Sequence, residues 1–160
     1  MKSLRSSVLE VCAVGQVRAG AQMPIARSGF LHAVTAHDVQ GVRSALAQGR
    51  LPSDFEAKLA KLGGGSLAER YVEQNSRLFF ALLLAALESA FTEATPGDRE
   101  RLLRVLAYVR KDDDAIPDYR PDGFTDDQQE VRAATVELGP LLHAFKVWRL
   151  RHQVPSMWLS

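Results

Sequence analysis

The stretch Ser66–Ala94, SLAERYVEQNSRLFFALLLAALESAFTEA, decides how the rest of the chain is arranged. It opens with Ser66 and Glu69 at capping-box spacing, the serine taking a free amide of the first turn while the glutamate reaches back. Leu67, Tyr71, Leu78, Phe79, Leu82, Leu83, Ala86, Leu87 and Phe91 then recur at helical spacing and, in the middle, occupy more than one face. A helix that is apolar on most sides has to lie among other helices. The pattern predicts one long helix from 66 to about 94 at the centre of an all-α, single-domain bundle. Its apolar run, bounded by Arg77 and Glu88, is far shorter than the roughly 20 residues a bilayer requires.

Working outward, glycine and proline cut the sequence into helix-sized pieces without strand-like alternation, giving six or seven helices in all. Leu4, Val8, Val11 and Cys12 predict an amphipathic helix over residues 3–19. Two short helices are expected between Ser28 and Gly49, with Asp38 capping the second and Gly49 ending it. A further short helix runs from Ser53 to Leu62 and stops at Gly63-Gly64-Gly65. Pro96 opens the next, with Asp98 and Glu100 in its first turn, and Leu102, Leu103, Leu106 and Val109 form its inward stripe to Arg110. Thr125 and Gln128 have the spacing of another capping box. Gly139-Pro140 predicts a kink in the last helix, because Val131, Leu138, Leu142, Phe145 and Trp148 keep their spacing across it. The tail 155–160 reads as irregular.

Composition excludes several functions. A net charge of +1 on 160 residues gives no general field for nucleic acid. The single cysteine, Cys12, has no intrachain partner for a disulfide, which suits a reducing, cytoplasmic compartment. The apolar stretch near the start is interrupted by Glu10 and closely followed by Arg18, unlike an export signal.

Chemistry concentrates in Lys111–Asp127, KDDDAIPDYRPDGFTDD, which holds seven aspartates. Carboxylates crowded in one loop repel each other unless backbone amides, cationic side chains or a hard cation compensate. Asp114, Asp118, Asp126 and Asp127 are the candidate ligands for Mg²⁺ or Ca²⁺ in a metal-dependent site, structural or hydrolytic. The competing reading makes Asp126 and Asp127 first-turn residues of a helix, and Asp114 and Asp118 turn residues beside Pro117. The spacing is not that of an EF-hand, and the second reading is preferred. No nucleophile, phosphate cradle or paired histidines accompany the loop: Gly63-Gly64-Gly65-Ser66 lacks the P-loop lysine, and His32/His37 and His143/His152 do not stack on adjacent turns.

Ala107-Tyr108-Val109, Asp114-Ala115-Ile116-Pro117-Asp118, Pro121, Gly123 and Asp126-Asp127 together resemble the signature of the YkvA-like family of uncharacterised bacterial proteins over residues 101–138. The resemblance implies a helical hairpin closed by a D-x-I-P-D turn, and brings no established activity with it. Lys111, Asp112, Asp113, Arg120 and Asp122 stand where that family is usually apolar, and Pro121 to Gly123 is one residue short. These polar residues argue against the membrane association suspected for the family.

Function is therefore expected to be non-enzymatic: a cytoplasmic adaptor or accessory protein that binds a protein partner and needs no cofactor. Its expected contact residues are Tyr119, Arg120 and Asp122 in the loop, and Met157 and Trp158 in the tail. An exposed aromatic residue in an irregular segment is uncommon unless something covers it.

Overall fold

The computed structural model describes residues 29–112, 118 and 120–152, all of whose regular elements are helical. A 3₁₀ turn, Gly29–Ala33, leads into α1 (Ala36–Ala47), α2 (Ser53–Gly63), α3 (Leu67–Leu87), α4 (Pro96–Arg110), α5 (Thr125–Glu137) and α6 (Gly139–His152). The amphipathic segment 3–19 and the tail 155–160 lie outside the described residues.

Helix α3 takes the central place that its sequence predicts, packing against α1, α2, α4 and α5. Leu78–Ala86 is a run of nine consecutive buried residues, so no face of that segment meets water. Its start has the expected capping box: the Ser66 hydroxyl accepts from the Glu69 amide, and the Glu69 carboxylate accepts from Ser66 N–H. Helix α4 buries the expected stripe of Leu102, Leu103, Leu106 and Val109, and its second half is enclosed more widely than that stripe alone requires. Val105 and Leu106 through Val109 are all buried, because α1, α3, α5 and the 3₁₀ turn surround the helix. Its N-terminus is stronger than Pro96 alone suggests, since Thr95 and Asp98 also close a capping box. Helices α1 and α4 run in opposite directions. Lys111, just beyond α4, reaches Asp38 at the start of α1, while Arg43 pairs with Glu100 near the start of α4.

Four boundaries differ from the sequence reading, each for a local reason. The piece after Ser28 is 3₁₀ rather than α, and Asp38 is not the cap of the following helix. Thr35 is the cap, with Asp38 three residues in as the returning half of its box. Gly49 does end α1: at φ 69° its N–H bonds to Leu46 O and that of Arg50 to Ala45 O, a Schellman closure. Helix α3 stops at Leu87 and not near Ala94, because Ser89 adopts φ 57° and makes the same closure without a glycine. Ser89 N–H bonds to Ala86 O and Ala90 N–H to Ala85 O, after which Phe91 and Ala94 turn inward as part of the core. The third difference concerns Thr125 and Gln128, which form no capping box. Phe124 precedes α5 without a side-chain cap, and Thr125 is already the first helical residue. Finally, the kink expected at Gly139-Pro140 is a break. Helix α5 ends at Glu137, Leu138 intervenes at φ −101° and ψ 17°, and α6 begins at Gly139. Pro140 has no N–H to continue the ladder, although Leu138 N–H→Ala134 O and Leu142 N–H→Leu138 O carry the chain across.

Candidate functional site: a buried lysine in the acidic hairpin

The charged centre of the molecule begins on α2. Phe55, Leu59 and Leu62 form its buried stripe, and Lys58 stands on the same face, its side chain only 7% exposed. An ammonium taken from water on an apolar face is tolerated only with close anionic and dipolar partners. The hairpin between α4 and α5 supplies them. Lys58 Nζ donates to Lys111 O at 2.6 Å, pairs with Asp118 Oδ2 at 2.7 Å and Asp127 Oδ2 at 3.5 Å, and lies 3.8 Å from Asp112 Oδ1. The Phe124 ring centroid is 5.8 Å away, within cation–π range. The neck of the loop is tied by Asp118 N–H to Asp112 O at 3.3 Å.

Asp126 faces the other way. The hydroxyl of Tyr108, buried on α4, donates to Asp126 Oδ2 at 2.6 Å, while Asp126 Oδ1 accepts from the Asp127 amide at 3.0 Å. One turn along α5, fully buried Glu130 accepts the Phe30 N–H at 3.2 Å and lies 3.7 Å from Arg101, which also pairs with Glu137. Phe30 stacks on Tyr108 with ring centroids 6.2 Å apart. The hairpin is thus fastened to α2 through Lys58, across α4–α5 through Tyr108, and to the 3₁₀ turn through Glu130.

Burial pushes the Asp118 carboxyl above its ordinary value of 3.8; Lys58 pulls it down by hydrogen bond and charge but does not overcome the burial, and the Asp112 carboxylate adds to the rise. At the surface the direction reverses. The Ser66 amide and hydroxyl hold Glu69 below its ordinary value.

Among the four aspartates proposed as metal ligands, Asp118 and Asp127 converge, and the cation between them is the lysine's own ammonium. Asp126 is directed to Tyr108, and Asp114 lies outside the described residues. Among the described residues, no group of three or more His, Cys, Asp or Glu is placed to hold a metal ion. Of the proposed contact residues, Arg120 and Asp122 are exposed and pair with each other at 3.3 Å, while Tyr119, Met157 and Trp158 lie outside the described residues. The sequence reading missed Lys58, Tyr108 as a ligand of Asp126, and Glu130. The signal present in the chain was a lysine three residues after Phe55 and four before Leu62, on the inward stripe of a short helix.

A second feature lies toward the N-terminal end of α4. Leu46, Leu83, Leu87 and Leu103, from α1, α3 and α4, line a groove of about 530 Å³ with Arg43, Arg99 and Glu100 at its rim. None of the described helices is long and apolar enough to cross a membrane. Comparison of the chain with protein-family models, with curated proteins and with solved structures found no match.

Proposed function

We propose that this chain is a non-enzymatic accessory protein that works by binding a protein partner, with the α4–α5 hairpin as a rigid display element. The observation that carries this reading is how the loop's carboxylates are used. Asp118 and Asp127 are engaged by Lys58, and Asp126 by Tyr108, inside the fold. A hydrolytic centre needs such groups open to substrate. Asp112, with 84% of its side chain exposed, and the Arg120–Asp122 pair remain on the surface, where a partner can read them. The single Cys12 supports a cytoplasmic setting.

Kinship with the YkvA-like family is part of the same proposal. Its support is that Tyr108, Asp118, Asp126 and Asp127, four positions of the resembling motif, sit together at the closed end of one helical hairpin. A motif of this kind is then a fastening, and the polar residues around it are this chain's own surface.

The test is crosslinked capture from cells with wild-type protein beside the double variant Arg120→Glu/Asp122→Lys, which leaves the Lys58 cluster untouched. Both positions are exposed, so the variant is expected to keep its melting midpoint while losing the captured species. Capture of nothing, or of the same species by both proteins, counts against the proposal. The competing reading, a Mg²⁺ or Ca²⁺ site, draws on the convergence of Asp118 and Asp127, and requires Lys58 to withdraw so that oxygens reach about 2.0–2.6 Å from an ion.

A further inference from the structure

We propose that the groove between α1, α3 and α4 is a docking site for an amphipathic helix that carries carboxylates beside its apolar side chains. The inference rests on the reading of the chain as a binding protein, but on a surface separate from the acidic hairpin. Leu46, Leu83 and Leu103 form a buried floor, and Leu87, in the last turn of α3, is 57% exposed above it. An apolar floor with one uncovered leucine, bounded by charged residues, fits the helix-in-groove mode of recognition, in which side chains at i, i+3, i+4 and i+7 fill the cleft.

Charge chooses the occupant. The groove has two guanidiniums, Arg43 and Arg99, against one carboxylate, Glu100. Arg43 and Glu100 pair with each other, but both side chains are about half exposed, and such surface pairs contribute little and exchange readily. Arg99 has no ion pair among the described residues. A carboxylate on an arriving helix can therefore take Arg99 directly and share Arg43. The chain's own first 28 residues have the wrong sign for this role, with Lys2, Arg5, Arg18 and Arg27 against Glu10.

The experiment uses the full-length protein and two labelled helical peptides of roughly 18 residues, with leucines at i, i+3, i+4 and i+7 spacing. One peptide has glutamates flanking the leucines; its twin has lysines. Fluorescence anisotropy is expected to show binding of the glutamate peptide and a preference over the lysine twin of about tenfold or more, diminishing with salt. Leu87→Lys should abolish binding, Arg43→Glu/Arg99→Glu should reverse the preference, and Arg120→Glu/Asp122→Lys should leave it unchanged. That last variant separates failure of the groove from failure of the hairpin reading. Equal binding of both peptides, or no binding by the wild-type chain, overturns the proposal. So does a photo-crosslinking residue at position 87 that links only to residues 1–28 or to a second copy.

Discussion

Lys58 joins α2 to the α4–α5 hairpin through Asp118, Asp127 and the Lys111 carbonyl. With its ammonium removed, Asp118 and fully buried Asp127 lose their shared cation, and Lys58→Met is expected to cost about 3–5 kcal/mol in urea unfolding. A loss below about 1 kcal/mol, the range of a surface pair, would mean that water reaches the cluster. Tyr108→Phe keeps the ring in the core and removes the hydroxyl that donates to Asp126, an expected loss of about 1.5–3 kcal/mol. Asp118 offers a test by titration. Its pKa is raised, so the folded protein holds that proton more tightly than the unfolded chain, and this group favours the fold as pH falls through the raised value toward 3.8. Glu69 has the opposite sign, because its pKa is lowered. The stability it adds is present above its ordinary 4.5 and is lost as pH falls through the folded value. Carbon-detected NMR of the carboxyl groups should place the Asp118 midpoint above 3.8, and Lys58→Met should move it higher still, since Lys58 is what pulls it down.

At the scale of elements, helix ends show best what the sequence could and could not reveal. Ser66–Glu69, Pro96 and Gly49 were readable because each is the ordinary residue for the position it fills, respectively a hydroxyl cap, a first-turn proline and a left-handed glycine. The end of α3 was not readable, because Ser89 occupies the left-handed position without the usual glycine, and Phe91 and Ala94 continue the apolar pattern from beyond the helix. Ser89→Gly is therefore expected to stabilise the protein by about 0.5–1 kcal/mol, relief of the strained φ exceeding the added freedom of the unfolded chain. A destabilised variant would show that the turn is held by the serine side chain instead. Thr125 misled for a related reason. Its spacing to Gln128 suits a capping box, but the turn through Asp122–Phe124 brings the chain into α5 with Thr125 already helical. Spacing alone cannot tell a cap from a first-turn residue; the incoming turn decides.

For the whole molecule, the apolar run in α3 was enough to predict an all-helical bundle, because a segment buried on every side demands neighbours. The candidate site was half legible. Its aspartates stand out in the loop, whereas their cation lies more than fifty residues earlier on α2, and only the fold brings it there. This arrangement is the basis for treating the hairpin as a structural clamp. The decisive measurement is a thermal melt of the full chain in EDTA and then in excess Mg²⁺ or Ca²⁺, beside Asp127→Asn. A ligand of the folded state alone adds about 2.7 kcal/mol at a hundredfold excess over its dissociation constant. With Lys58 as the resident cation, the wild-type midpoint should be the same in EDTA and in either ion, while Asp127→Asn melts lower in all three. A rise in midpoint with one ion, abolished by Asp127→Asn, would contradict the clamp and make the aspartates a metal site.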